Sequence, residues 1–316
     1  MADGVRAVEI DTAWLRARPL PAHGDGTDKN SRGHVIAIGG SRSVPGGLLL
    51  TGEAALRAGA GKVQLATLAS CAIGVGIALP EAGVIALGET EEGELDGGQA
   101  GGLAANIERC HSVVVGPAMT SSDAAGALLD ALSGQLGGRA LVVDAVALHA
   151  ARERAEALRA HDGPLIITPN PDELASLLDG DHSRVADDPA GCACEAARRF
   201  SAVTVCKGGE SFIASPDGAL LRYPGGGVGL ATGGSGDVLA GVIAGLLARG
   251  CEPLTAAAWG VWLHGEAGRR LGGSIGPVGL LARELPPLIP ALMDKASRKR
   301  ARRSVPRALS GRMTGG

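Results

Sequence analysis

Short apolar runs alternate along the chain with longer stretches whose apolar positions recur every three to four residues. HVIAIGG (34–40), KVQLATL (62–68), SVVVGP (112–117), ALVVDAVAL (140–148), PLIITPN (164–170) and AVTVCKGG (202–209) predict buried strands. GGLLLTGEAALRAGA (46–60), DAAGALLDALSG and PDELASLL carry the helical period between them. A helix is expected over 238–249, stopped by Gly250 at C′, and another over 255–271. Residues 280–293 read as helix broken by Pro286 and Pro287. Strands alternating with helices imply a mostly parallel sheet covered on both faces. Residues 1–27 read as a polar N-terminal arm, 28–293 as one α/β domain, and 294–316 as a basic, disordered tail.

Several of these strands end in Gly, Pro, Asn or Asp, as in IGG, VGP, VVD, TPN and KGG. In open α/β sheets ligands bind outside the carboxyl ends of the strands, so the polar turns fall where a site is expected. GLATGGSGDVLAGVIAGLLARG (229–250) sharpens this: a glycine cluster opens onto one carboxylate, Asp237, directly ahead of an apolar helix. The first N–H groups of a helix and the positive end of its dipole bind phosphate. Gly233, Gly234 and Gly236 let the backbone approach an anion without a Cβ in the way. The bland reading makes Ser235 or Asp237 an ordinary N-cap. Neither G-x-x-x-x-G-K-[ST] nor a complete G-x-G-x-x-G occurs, which excludes a P-loop and a standard dinucleotide fold. A carboxylate at such a helix start can take the proton of a hydroxyl attacking the phosphate. The neighbouring N–H groups are expected to lower its pKa.

Composition narrows the field. The chain has 316 residues, 45% hydrophobic but only 2% aromatic, and a net charge of −3, which gives no case for a nucleic-acid partner. Six cysteines without a C-x-x-C pair suggest reduced thiols. No signal-like N-terminus occurs, and no run approaches the roughly 20 apolar residues of a membrane span, so a cytoplasmic protein is expected.

The order of motifs resembles a known family. GGSGD before an apolar helix resembles the catalytic segment of the ribokinase-like superfamily. KNSRGHVIAIGGSRSVPGGLLLTGEAALRAGAGKVQLAT (29–67), LPEAG, VVVGP, VVDAVAL, ITPNPDELASLL, VCKGGESFIASPDG and AAAWGVWLHGEAGRRL follow in the order of the NAD(P)H-hydrate dehydratases, over roughly residues 28–290. The resemblance implies a ribokinase-like three-layer α/β/α sandwich with a mostly parallel central sheet. It also implies ADP-dependent dehydration of hydrated NADH and NADPH (NADHX and NADPHX), with release of AMP and phosphate, and Mg2+ beside ADP or ATP. Carried over, Asp237 is the base and touches the hydrate. Lys207, Gly208, Gly209, Glu210, Ser211, Gly234 and Gly236 bind the nucleotide, and Gly47, Ala118 and Asn170 meet the hydrate. Asn170 and Glu173 are candidate indirect magnesium contacts. A homo-oligomer, a tetramer in related proteins, and a separate epimerase for the same hydrate are implied partners, since about 30 residues before HVIAIGG are too few for an epimerase domain.

This sequence departs from the family pattern at four places. Gly47 stands for a usual alanine, Ala118 for the last glycine of Gly-Pro-Gly, Val146 for the second aspartate of D-A-D-A-L, and Asn170 for the histidine of T-P-H-P. Each candidate also has a plainer role: Lys207 a solvated strand end, Asn170 a turn residue, Glu173 a first-turn acid, Asp144 a cap, His264 a packed core histidine. Two rival functions remain: a small-molecule kinase of the same superfamily, favoured by N-x-x-E at 170–173, and a nucleotide-binding regulator without catalysis.

Overall fold

A computed structural model describes residues 6–298 except 25. Ten strands form one sheet: β1 (Val8–Glu9), β2 (His34–Ile38), β3 (Lys62–Leu68), β4 (Gly83–Leu87), β5 (Ser112–Val115), β6 (Ala140–Val143), β7 (Leu165–Ile167), β8 (Val203–Cys206), β9 (Ser211–Ala214) and β10 (Leu220–Tyr223). Their order is β1-β10-β9-β8-β7-β6-β5-β2-β3-β4. From β8 to β4 all neighbours are parallel; β9 is antiparallel to β8 and β10, and β1 runs parallel to β10. The central strands are valine- and isoleucine-rich and buried on both faces, as a helix-covered parallel sheet requires.

Two apolar layers sandwich the sheet. One face carries the helices Gly47–Arg57, Ser235–Ala248, Pro253–Ser274 and Ile289–Ser297, with Trp259 fully buried among them. The other carries Ser122–Leu132, Val146–Ala151, Pro171–Leu177 and Pro189–Phe200, centred on Phe200. This is the three-layer sandwich expected from the sequence.

The segment read as an N-terminal arm is seated in the fold over its described part. Val8 pairs with Leu221 and the Ile10 N–H donates to the Arg222 carbonyl. Trp14 and Leu15, on the helix Thr12–Ala17, enter the core, and Trp259 Nε1 donates to the Arg18 carbonyl at 2.8 Å. The apolar period of Val8, Ile10, Trp14 and Leu15 is too brief to stand out in a polar stretch. The basic tail expected over 294–316 is helical as far as Ser297, and residues 299–316 lie outside the described residues.

Two predicted boundaries shift. ALVVDAVAL is strand only to Val143; Ala145, with φ +53°, turns the chain, and Val146 starts a helix. The helix expected from Val238 starts at Ser235, because Gly234 serves as its N-cap with φ +85°.

Topology sets the place of the site. From β2 the chain steps outward to β3 and β4, then returns to β5 on the other side of β2, so the strand order reverses between β2 and β5. The crevice beyond the carboxyl ends at such a reversal is where α/β sheets bind ligands. One wall is built by the helices Gly47–Arg57 and Ser235–Ala248, which touch through their main chains. A Cβ on Gly241 would stand 2.2 Å from the Thr51 carbonyl oxygen, and one on Gly245 2.6 Å from that of Ala55.

Candidate active site

The turns after β5, β6, β7 and β8 bring Ala118, Asp144, Asn170 and Lys207 to one cleft of about 990 Å³. Gly234, Ser235, Gly236 and Asp237 close it from the start of the Ser235–Ala248 helix. Asp237 lies in that helix's first turn, and no side chain caps the helix, so the N-cap role for Ser235 or Asp237 falls away. Positive φ at Gly234 is what turns the chain into the helix, and a Cβ there would meet Leu50 Cδ1 at 2.4 Å. Ser235 instead hydrogen-bonds His264 through Oγ and Nε2 at 2.9 Å.

Lys207 is not a solvated strand end. Its Nζ donates to Asp144 Oδ1 at 2.7 Å and lies 3.8 Å from Glu173 Oε2. Asp144 is only 1% exposed and also accepts from Thr168 Oγ1 at 2.7 Å. A Cβ built on Gly236 would stand 3.3 Å from Lys207 Nζ and 3.7 Å from Asp144 Oδ2, so the ion pair meets the helix start itself.

Burial works against the Lys207 cation, yet Asp144, Glu173 and Asp237 outweigh it and hold its pKa above the usual lysine value. Burial raises Glu173, against the pull of Lys207. The expectation that helix N–H groups lower the Asp237 pKa is overturned. Burial first, and then the Asp144 charge, push its carboxyl up to about 7, while Lys207 and the Ala118 N–H pull the other way. His264, pushed down to about 4 by burial, is a neutral, hydrogen-bonded imidazole.

The remaining candidates separate. Gly208, Gly209 and Ser211 line the cleft. Glu210 does not: it is exposed and ion-paired with Arg222. Gly47 sits behind Ala118 rather than on the cleft wall. Asn170 and Glu173 form a reciprocal helix cap. The Glu173 N–H donates to Asn170 Oδ1 at 2.8 Å, and the Asn170 N–H to Glu173 Oε2 at 2.7 Å. The N-x-x-E spacing that favoured a kinase is thus accounted for by capping, although both residues also line the cleft. Sequence reasoning missed the apolar end of the cleft, made by Tyr223, Val228, Leu230, Leu239 and Val261. Its signal was confined to Val228 and Leu230, set between glycines in GGGVGLATGG (225–234).

Residues 35–290 match the NAD(P)H-hydrate dehydratase family. The chain belongs to that family. An ADP-dependent (S)-NAD(P)H-hydrate dehydratase of Xanthomonas campestris is 48% identical over 93% of this chain and 99% of its own length. The corresponding Neisseria meningitidis enzyme is 32% identical over 88% and 90%. The chain spans about half of bifunctional NAD(P)H-hydrate repair enzymes, such as that of Moorella thermoacetica, 34% identical, where it covers 53% of the relative. Among solved structures, a Bacillus subtilis ADP/ATP-dependent NAD(P)H-hydrate dehydratase co-crystallised with ATP and Mg2+ superposes with a TM-score of 0.77 at 26% identity, covering 93% of this chain and all of that one. A ribokinase-like protein of Enterococcus faecalis, at TM-score 0.78 and 23% identity, matches in fold. Among the described residues no helix is long and apolar enough to cross a membrane.

Proposed function

We propose that the chain removes water from hydrated NADH and NADPH, using ADP or ATP to make the leaving group, with Asp237 as general base. The observation that carries the assignment is Asp237 itself: an uncapped carboxylate in the first turn of a glycine-led helix, in the cleft, with its pKa near 7. A base works best when its pKa lies near the operating pH.

The ring hydroxyl of the hydrate gives its proton to Asp237, and its oxygen attacks the terminal phosphoryl group of ADP. The new O–P bond replaces the bond to AMP, which leaves with that electron pair. The ring C–O bond then breaks with its electrons on phosphate, and loss of a proton from the neighbouring ring carbon restores the double bond. Hydroxide leaves poorly and phosphate leaves well, which is why a nucleotide is consumed. Amide N–H groups at Gly234–Gly236 face the developing phosphoryl charge, and the Lys207 cation adds to them. Gly208, Gly209 and Ser211 line the nucleotide side, with Tyr223, Val228 and Leu230 as an apolar seat for the base.

Mg2+ belongs to the same reading as an ion carried on the nucleotide phosphates. Among the described residues no group of three or more carboxylate, histidine or cysteine ligands gathers. Asn170 and Glu173, committed to each other in the cap, would reach such an ion through water. All six cysteines are free thiols, in keeping with a reducing cytoplasmic setting. A homo-oligomer and a companion epimerase complete the proposal.

The test is turnover of hydrated NADH with ADP and with ATP, followed by the returning absorbance of NADH. Asp237→Asn is expected to lose at least about 100-fold in rate while still binding nucleotide. A stable phosphorylated product would mean a kinase, and nucleotide binding without turnover would mean a regulator.

A further inference from the structure

The proposed reaction moves two protons, and Asp237 accounts for one. It enters the second step carrying the hydroxyl proton, while the neighbouring ring carbon still has a hydrogen to lose. The two protons leave adjacent positions of one ring, so the second acceptor must share the cleft with Asp237. Among the described residues the other titratable side chains lining that cleft are Asp144, Glu173, Lys207, Tyr223 and His264. Asp144 is 1% exposed and neutralised by Lys207 at 2.7 Å. Lys207 is held as a cation by the carboxylates around it. The Tyr223 hydroxyl donates to Glu266 Oε1 at 3.1 Å, and burial keeps its proton on. His264 is engaged with Ser235. Glu173 is committed through one oxygen only. Its Oε2 accepts the Asn170 N–H at 2.7 Å and lies 3.8 Å from Lys207 Nζ. Its Oε1 has no hydrogen-bond partner among the described residues and is not sealed off from the cleft that the residue lines. Only 13% of the side chain is exposed, so a free acceptor oxygen is held largely out of water. Lys207 Nζ also stands 3.3 Å from a Cβ built on Gly236, the residue before Asp237, which brings both carboxyls toward one ammonium.

We propose that Glu173 is the second base of the reaction, its Oε1 taking the proton from the ring carbon next to the one that bore the hydroxyl. The inference rests on the dehydration proposed above. As the ring C–O bond breaks with its electron pair on phosphate, the C–H pair becomes the second bond of the ring double bond. The proton forms an O–H bond on Glu173, which passes it to water as the product leaves, so no further co-reactant is needed. Burial raises the Glu173 pKa, which makes it a better acceptor than an exposed carboxylate. The Asn170 N–H and Lys207, both on Oε2, hold the carboxyl in one orientation without occupying the oxygen that reacts.

The experiment separates the two steps in single turnovers of the full chain, with enzyme in excess over hydrated NADH and with ADP present. Quenched samples give AMP, which reports the phosphoryl step, and absorbance gives NADH, which reports the elimination. Glu173→Gln keeps an oxygen for the Asn170 N–H, and Gln serves in such a cap as Glu does, so the fold is expected to hold. In this variant AMP release is expected to stay within a few-fold of wild type while NADH formation slows by at least about 100-fold, the loss of a general base. A phosphorylated hydrate then accumulates, and deuterium at the ring carbon slows NADH formation further, an isotope effect that a merely structural role would not produce. Should Glu173→Gln not fold, Glu173→Asp carries the test: it keeps the charge beside Lys207, withdraws the oxygen, and must show the same split. NADH formation as fast as wild type overturns the assignment, since water or the departing phosphate then takes the proton. AMP and NADH slowed equally also overturn it, as expected of a Glu173 that served only magnesium through water. Wild-type protein that forms no NADH from hydrate and ADP sinks the proposed activity itself, whereas a wild type that forms it leaves the variants to judge Glu173.

Discussion

Replacing Asp237 with Asn should stabilise the protein while disabling it. Burial and the Asp144 charge raise the Asp237 carboxyl from 3.8 to about 7. A folded-state pKa above the unfolded one means that the folded chain binds the extra proton, so stability falls as pH rises from about 4 to 7 and the full cost is felt above that. A shift of about three pH units corresponds to about 4 kcal/mol; solvent contact of the half-buried side chain reduces this to about 1–3 kcal/mol. Asn keeps the shape and never ionises. At pH 8 the variant should therefore be about 1–3 kcal/mol more stable than wild type, raising Tm by a few degrees, and the gap should shrink toward pH 5. Urea unfolding at pH 5, 6.5 and 8, followed by the fluorescence of Trp14, Trp259 and Trp262, measures it. A variant no more stable than wild type at pH 8, or a gap that ignores pH, would refute the account of the site's electrostatics. A stabilised but inactive variant is the outcome expected of a charge kept for chemistry at the expense of folding.

Two further substitutions probe the walls of the cleft. Lys207→Met strands Asp144, whose remaining side-chain partner in the site is the Thr168 hydroxyl, and should cost about 3–5 kcal/mol at pH 8. Calorimetry should find less at pH 5, where the carboxyls can take up protons, and a pH-independent loss would contradict the ion-pair reading. Asn170→Ala removes the helix cap and should lower stability by about 1 kcal/mol, whereas Asn170→Asp, which can still accept from the Glu173 N–H, should keep most of it.

The sheet and the location of the cleft were legible because central strands announce themselves: runs such as VVVGP and LIITPN are apolar throughout and end in polar turns. Hidden strands are those whose burial is not written as a run. β9 and β10 sit toward one edge, where SFIA and LLRY are short and mixed, and β1 is two residues long; β4 at the other edge is an apolar run, GVIAL, that stays largely exposed. In the site, Asp237 and Lys207 were found by their glycine neighbours. The pKa of Asp237 was misjudged because its sign is set by burial first and then by the charge of Asp144, which lies 93 positions earlier in the chain, and both exist only once the sheet has formed. Glu210 was placed at the nucleotide by its match to the family's adenylate-binding loop, but it is exposed just ahead of β9 and pairs with Arg222 of β10.

The backbone-to-backbone seam at Gly241 and Gly245 has a mechanical consequence. With no layer of flexible side chains between them, the helices bearing Gly47 and Asp237 have nothing soft along which to slide, and they behave as one stiff plate. Any narrowing of the cleft around its guests has to come from segments other than these two helices.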